Sequence, residues 1–110
     1  MAKKIHLKKS LINSIHLFLD LVAENGIPVS RAILFGSYAK GKESSDSDVD
    51  IAVISSRFGK DNLKEMMFLR KLALKIDSHI EPIPFSPEDL NDPYSTLMGE
   101  IRRYGIPLLR

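Results

Sequence analysis

The sequence of 110 residues contains no cysteine. That absence excludes disulfides, thiolate nucleophiles and zinc–thiolate centres together. No apolar run approaches the ~18 residues of a membrane span. Lys3 and Lys4 ahead of the apolar stretch 11–22 have the outline of a signal peptide, but Asn13, His16 and Asp20 interrupt it. Charge of one sign is equally scarce: 16 Lys+Arg against 14 Asp+Glu leave a net charge of +2. That is too little to drive nucleic-acid binding by electrostatics alone. There is no internal repeat, low-complexity tract or interdomain linker. What remains is 44% apolar and 27% charged, the balance of a soluble folded protein. The expectation is a cytoplasmic chain with no membrane contact and one domain over 1–110, large enough for a single core.

Taken in order, the basic stretch 1–9 has no period and reads as a flexible lead-in. Ser10 is a candidate N-cap for a helix in which Leu11, Ile15, Phe18, Leu19 and Val22 recur at helical spacing. His16 lies amid that pattern and reads as structural. Asn25-Gly26 and Pro28 end the helix. The apolar run Ala32-Ile33-Leu34-Phe35 predicts a central strand over Arg31–Phe35, buried on both faces. Gly36-Ser37 breaks it, a helical turn follows at 38–41, and a second strand covers 48–55. Asp61 caps a helix over 61–77, whose Leu63, Met66, Met67, Leu69, Leu72, Ala73, Leu74 and Ile76 form one broad apolar face, with both methionines as core filler. A third strand spans Ile80–Phe85. Pro82 and Pro84 lack N–H donors two residues apart, so it is an edge strand that pairs through Glu81, Ile83 and Phe85. Ser86-Pro87-Glu88-Asp89 starts a short helix, a loop runs through Asn91-Asp92-Pro93, and Thr96–Tyr104 forms the last helix before an apolar terminus at 106–109.

The chemistry concentrates in 36–50. Asp48 and Asp50, two apart on an extended strand, point to one face roughly 6.6 Å apart along the backbone. Carboxylates at the head of a buried strand need a compensating cation. Hard oxygen ligands suit Mg²⁺ or Mn²⁺. Just before them, the Gly36-Ser37 turn offers backbone N–H groups and a hydroxyl to phosphate oxygens. A phosphate cradle facing a carboxylate pair points to metal-assisted phosphoryl or nucleotidyl transfer.

Gly36-Ser37, Gly41 and Ser47-Asp48-Val49-Asp50 together resemble the G-S-x-x-x-G…S-D-x-D pattern of the DNA polymerase β-like nucleotidyltransferase superfamily, most closely its minimal (MNT) branch. The resemblance implies an α/β (α+β) fold, a small mixed sheet flanked by helices. It implies two metal ions, Mg²⁺ or Mn²⁺, held by Asp48 and Asp50 with Glu81 as third ligand, where relatives commonly carry Asp. Gly36 and Ser37 would hold the phosphates of ATP or another NTP. Lys40 would neutralise their charge, and Ser47 would brace Asp48. Ser44, Ser45 and Asp46 read as loop-forming, and His79 is set aside as a metal ligand. The branch further implies transfer of NMP to a hydroxyl on a HEPN-type toxin, the chain acting as its antitoxin, alone or as a homo-oligomer. A non-catalytic antitoxin and a subunit of a two-chain small-molecule nucleotidyltransferase are the alternatives.

Overall fold

The computed structural model describes residues 7–44 and 47–108. Helix α1 (Lys9–Glu24) is followed by β1 (Arg31–Phe35), the single-turn helix α2 (Ser37–Lys40) and β2 (Val49–Ile54). Then come α3 (Asn62–Leu74), β3 (Ile80–Phe85), a 3₁₀ turn at Pro87–Asn91, α4 (Thr96–Tyr104) and the two-residue strand β4 (Ile106–Pro107). The strands form one mixed sheet in the order β3-β2-β1-β4. β1 runs antiparallel to β2 and β4, and β3 is parallel to β2. This is the expected small mixed sheet flanked by helices. No described helix is long and apolar enough to cross a membrane.

The period-2 pattern of the strands divides the core in two. Ala32, Leu34, Val49, Ile51, Val53 and Ile80 face α1 and α3, where Ile15, Phe18, Leu19, Val22, Leu69 and Leu72 close over them. Ile33, Phe35, Ala52 and Ile54 face the other way, against Met98 and Ile101 of α4. Asp50 and Glu81 belong to this second face by strand parity. They lie at the N-terminal ends of β2 and β3.

β3 is an edge strand, as its prolines require. The N–H of Val49 donates to the His79 carbonyl and that of Ser55 to the Phe85 carbonyl. The ladder therefore engages the odd positions of β3 and turns the nitrogens of Pro82 and Pro84 outward. The Ser86 signal also holds: its N–H donates to Asp89 Oδ2 at 2.9 Å, opening the 3₁₀ turn.

Three expectations are corrected. Ser10 is not the N-cap of α1. The helix begins at Lys9 after Lys8, with no capping side chain, because Leu7 and Leu11 pack on the core and carry the first turn. Residues 1–6 lie outside the described residues, but 7–9 are not a loose lead-in. In α3 the apolar residues form two faces rather than one. Met67 is 62% exposed and Leu63 and Leu74 are also in solvent, so Met67 is not core filler, whereas Met66 is half-buried.

The glycines within and just after α4 make opposite demands. A Cβ on Gly105 would sit 2.3 Å from the Ile101 carbonyl oxygen and 2.6 Å from Ile33 Cγ2, whereas one on Gly99 would meet nothing within 4 Å. Gly105→Ala should therefore destabilise the fold by about 1–3 kcal/mol through overpacking. Gly99→Ala should stabilise it by up to ~1 kcal/mol through helix propensity. Urea unfolding of the two variants beside the parent checks both signs.

Candidate active site

The site is built where β1 ends and β2 begins. Antiparallel pairing sets Phe35 opposite Asp50, and parallel pairing sets Asp50 opposite Glu81. Gly36 follows Phe35 with φ 75° and ψ −152°, a conformation that glycine adopts freely. A Cβ there would fall 2.1 Å from Asp50 Oδ2 and 3.1 Å from its Cγ. The turn can lie against the Asp50 carboxylate only because residue 36 has no side chain. A Cβ at this position need not reach a phosphate to do harm. In the structure the first group it strikes is Asp50.

From Gly36 the chain winds into α2, whose Lys40 N–H donates to the Gly36 carbonyl at 3.2 Å. The turn closes at Gly41, which is left-handed with φ 70°. Ser37 opens α2 at the same end, half-buried. Lys40 is not a solvated loop lysine: its ammonium is ion-paired with Glu100 of α4 and lies 5.0 Å from the centroid of the Tyr104 ring. Those partners come from one face of α4, since 100 and 104 are one turn apart.

Asp50 is half-buried, and its carboxyl pKa is raised above the ordinary value. Burial is the largest cause, followed by the negative charges of Asp48, Glu81 and Glu100. Asp48, Glu81 and Glu100 thus all bear on the charge of Asp50. Glu81, the expected third acid, is ion-paired with Arg70 of α3. Neither Glu100 nor Arg70 was expected at the site from the sequence. Glu100 is the only acid within α4, but nothing local ties it to the strand acids. Nothing local marks Arg70.

Ser47 and His79 both bond within their own segments. The Ser47 hydroxyl accepts from the Ser44 N–H at 2.8 Å and lies 3.3 Å from Ser44 Oγ. It ties residue 47 back to residue 44. Ser45 and Asp46 lie outside the described residues. His79 faces Asp77: its backbone N–H donates to Asp77 Oδ1 at 2.9 Å and its Nδ1 lies 3.0 Å from the same oxygen. That backbone bond is the main reason the Asp77 carboxyl is held below its usual range.

The residues fit a divalent cation by chemistry. They are hard oxygen donors, crowded enough to repel one another, and a dication would reverse the electrostatics at Asp50. Among the described residues no three such groups stand at metal-holding distance, and Lys40 and Arg70 engage two of the four acids.

A consequence for stability follows from Asp50. The folded chain binds its proton more tightly than the unfolded chain does. The parent therefore loses stability as pH rises from the ordinary value of 3.8 through the raised pKa. Asp50→Asn should accordingly be more stable than the parent at pH 7. The gain should shrink as pH falls through the raised pKa and vanish below 3.8. Urea unfolding of both proteins across that range measures it. Unfolding of Asp50→Asn at pH 7 would make the acid structural.

Known proteins resemble the chain in sequence and in fold. Residues 19–110 match the family model described as "Polymerase beta, Nucleotidyltransferase". The chain is 30% identical over 80 residues to "Putative protein adenylyltransferase MJ0141" of Methanocaldococcus jannaschii, covering 71% of this chain and 77% of that protein. It is 33% identical over 63 residues to protein adenylyltransferase MntA of Shewanella oneidensis, covering 57% of this chain but only 45% of the relative. Among solved structures, a toxin–antitoxin with AMP-PNP superposes with a TM-score of 0.62 at 30% identity, over 89% of this chain and 72% of that one. A mutant of the toxin–antitoxin MntA–HpeT gives 0.61 at 26% identity, with the same coverage. The overall fold is thus shared with those structures, and the chain belongs to the polymerase β nucleotidyltransferase family, in its minimal branch.

Proposed function

We propose that the chain transfers AMP from ATP to a hydroxyl on a partner protein, with Mg²⁺ or Mn²⁺, as the antitoxin of a HEPN-type toxin in the cytoplasm. The observation that carries the reading is the glycine turn set against Asp50, with Asp48, Glu81 and Glu100 close enough to raise its pKa. A set of acids that repel one another favours a role in which cations meet them. The likeness to a toxin–antitoxin crystallised with AMP-PNP supports both the nucleotide and the kind of partner. The low net charge of +2 argues against a nucleic-acid acceptor.

In this reading Asp48, Asp50 and Glu81 hold the metal, which when bound supplies Lewis-acid stabilisation of charge on the phosphates. Gly36 and Ser37 receive the triphosphate, and Lys40 exchanges Glu100 for phosphate oxygens. Transfer forms a bond from the acceptor oxygen to the α-phosphorus and breaks the bond from that phosphorus to the bridging oxygen. Pyrophosphate leaves, and a carboxylate of the cluster takes the acceptor's proton. Ser47 orders the loop that leads to Asp48. In this reading 1–110 serves as one transferase domain, alone or in a homo-oligomer.

The test incubates the chain with α-labelled ATP, Mg²⁺ and candidate acceptors: a HEPN-type toxin, tRNA and a metabolite pool. Label should appear on the toxin. Label on tRNA or metabolites alone would reassign the acceptor, and no label anywhere would favour an antitoxin that acts by contact. Glu81→Gln should lower transfer at least tenfold, about 1.4 kcal/mol of barrier, while ATP affinity changes little. Gly36→Val should lose both, since its side chain displaces Asp50. If Glu81→Gln lost ATP as fully as Gly36→Val, the division of roles would fail.

A further inference from the structure

Helix α3 is apolar on two opposite sides. Leu69, Leu72 and Ala73 are buried against the sheet, whereas Leu63, Met67 and Leu74 are 67%, 62% and 61% exposed. At about 3.6 residues per turn, the exposed three fall on one line across the helix from the buried three. Folding asks for only one apolar face, so a second, in solvent, marks a contact surface.

The surroundings of that line are basic. Lys64, Lys71 and Lys75 are all exposed and run beside it. The acids of the same segment are turned into the helix's own start. Asp61 accepts from the Lys64 N–H at 3.2 Å and lies 4.0 Å from its ammonium, which leaves Lys71 and Lys75 as the main source of positive charge. Glu65 accepts from the N–H groups of Gly59, Lys60 and Asp61. A concavity of about 320 Å³ opens near the N-terminal half of α3, with Ile27, Arg57, Phe58, Lys64 and Phe68 among its lining. Arg70 sits in the line between Met67 and Leu74 and grips Glu81. The surface therefore continues into the carboxylate cluster.

We propose that this face of α3 docks an amphipathic helix of a protein partner, with an apolar stripe edged by Asp and Glu. The apolar line supplies burial, the lysines supply complementary charge, and the concavity receives one large apolar side chain. A nucleic acid would use the lysines and leave Leu63, Met67 and Leu74 in water. The position beside Glu81 sets such a partner at the edge of the site. This extends the reading in which the acceptor is a protein, but it is measured without nucleotide, so its failure leaves the transfer reaction untouched.

The probe is a fluorescent synthetic helical peptide with leucines along one face and glutamates on both flanks. A matched peptide carries lysines on the flanks. Anisotropy should show the acidic peptide binding at least tenfold more tightly, with affinity falling as salt is raised. The triple variant Leu63→Ser, Met67→Ser, Leu74→Ser should lose at least tenfold, and Lys71→Glu with Lys75→Glu should reverse the preference between peptides. Circular dichroism confirms that these exposed substitutions leave the fold intact. Equal affinity for both peptides, or affinity unchanged in the variants, would overturn the proposal. So would binding of a labelled single-stranded RNA that depends on the lysines alone. Concentration-dependent dimerisation of the parent, lost in the triple-serine variant, would reassign the face to a second copy.

Discussion

The structure turns on a crowding of like charges. Asp50 sits half-buried at the head of β2, with Asp48 before it, Glu81 across the ladder and Glu100 arriving from α4. Gly36 makes the arrangement possible, since any side chain there would occupy the place of the Asp50 carboxylate. Such a cluster opposes folding, because each acid raises the free energy of ionising its neighbours. It is retained at the open end of a sheet face that is otherwise covered by Met98 and Ile101.

Two ion pairs restrain the cluster from outside. Lys40, on the turn that follows Gly36, holds Glu100, and Arg70, on α3, holds Glu81. Each joins a different helix to the acids. α4 is linked to α2 through Lys40, with Tyr104 stacked on the same ammonium. α3, on the opposite face of the sheet, reaches round the β3 edge through Arg70. Both pairs are partly exposed and contribute modestly to stability. Their significance is positional: charge arriving at the site must negotiate with α3 and α4 as well as with the acids.

The sequence made much of this legible, for reasons that can be assigned to particular residues. Four successive apolar residues placed β1, and the Pro82/Pro84 parity identified β3 as an edge that presents Glu81 beside Asp50. The spacing of Gly36, Ser37, Asp48 and Asp50 singled out the turn and the acidic strand entry together. Sequence-distant contacts were not legible. Glu100 joins the cluster because α4 packs across β1 on the same face of the sheet, and local periodicity carries no information about that. Arg70 reaches Glu81 only through the parallel β2–β3 crossover. Met67 was misplaced because counting apolar residues along α3 cannot separate one broad face from two opposed ones.

The central claim is that the acids around Asp50 are arranged to be met by a divalent cation. Its most direct test is NMR titration of the ¹³C-labelled Asp50 carboxyl with and without Mg²⁺ and a non-hydrolysable ATP analogue. Without them, Asp50 should titrate above its ordinary value of 3.8. With both present it should titrate below that value, as opposite charge replaces mutual repulsion. An Asp50 titration unmoved by Mg²⁺ and nucleotide would contradict the account.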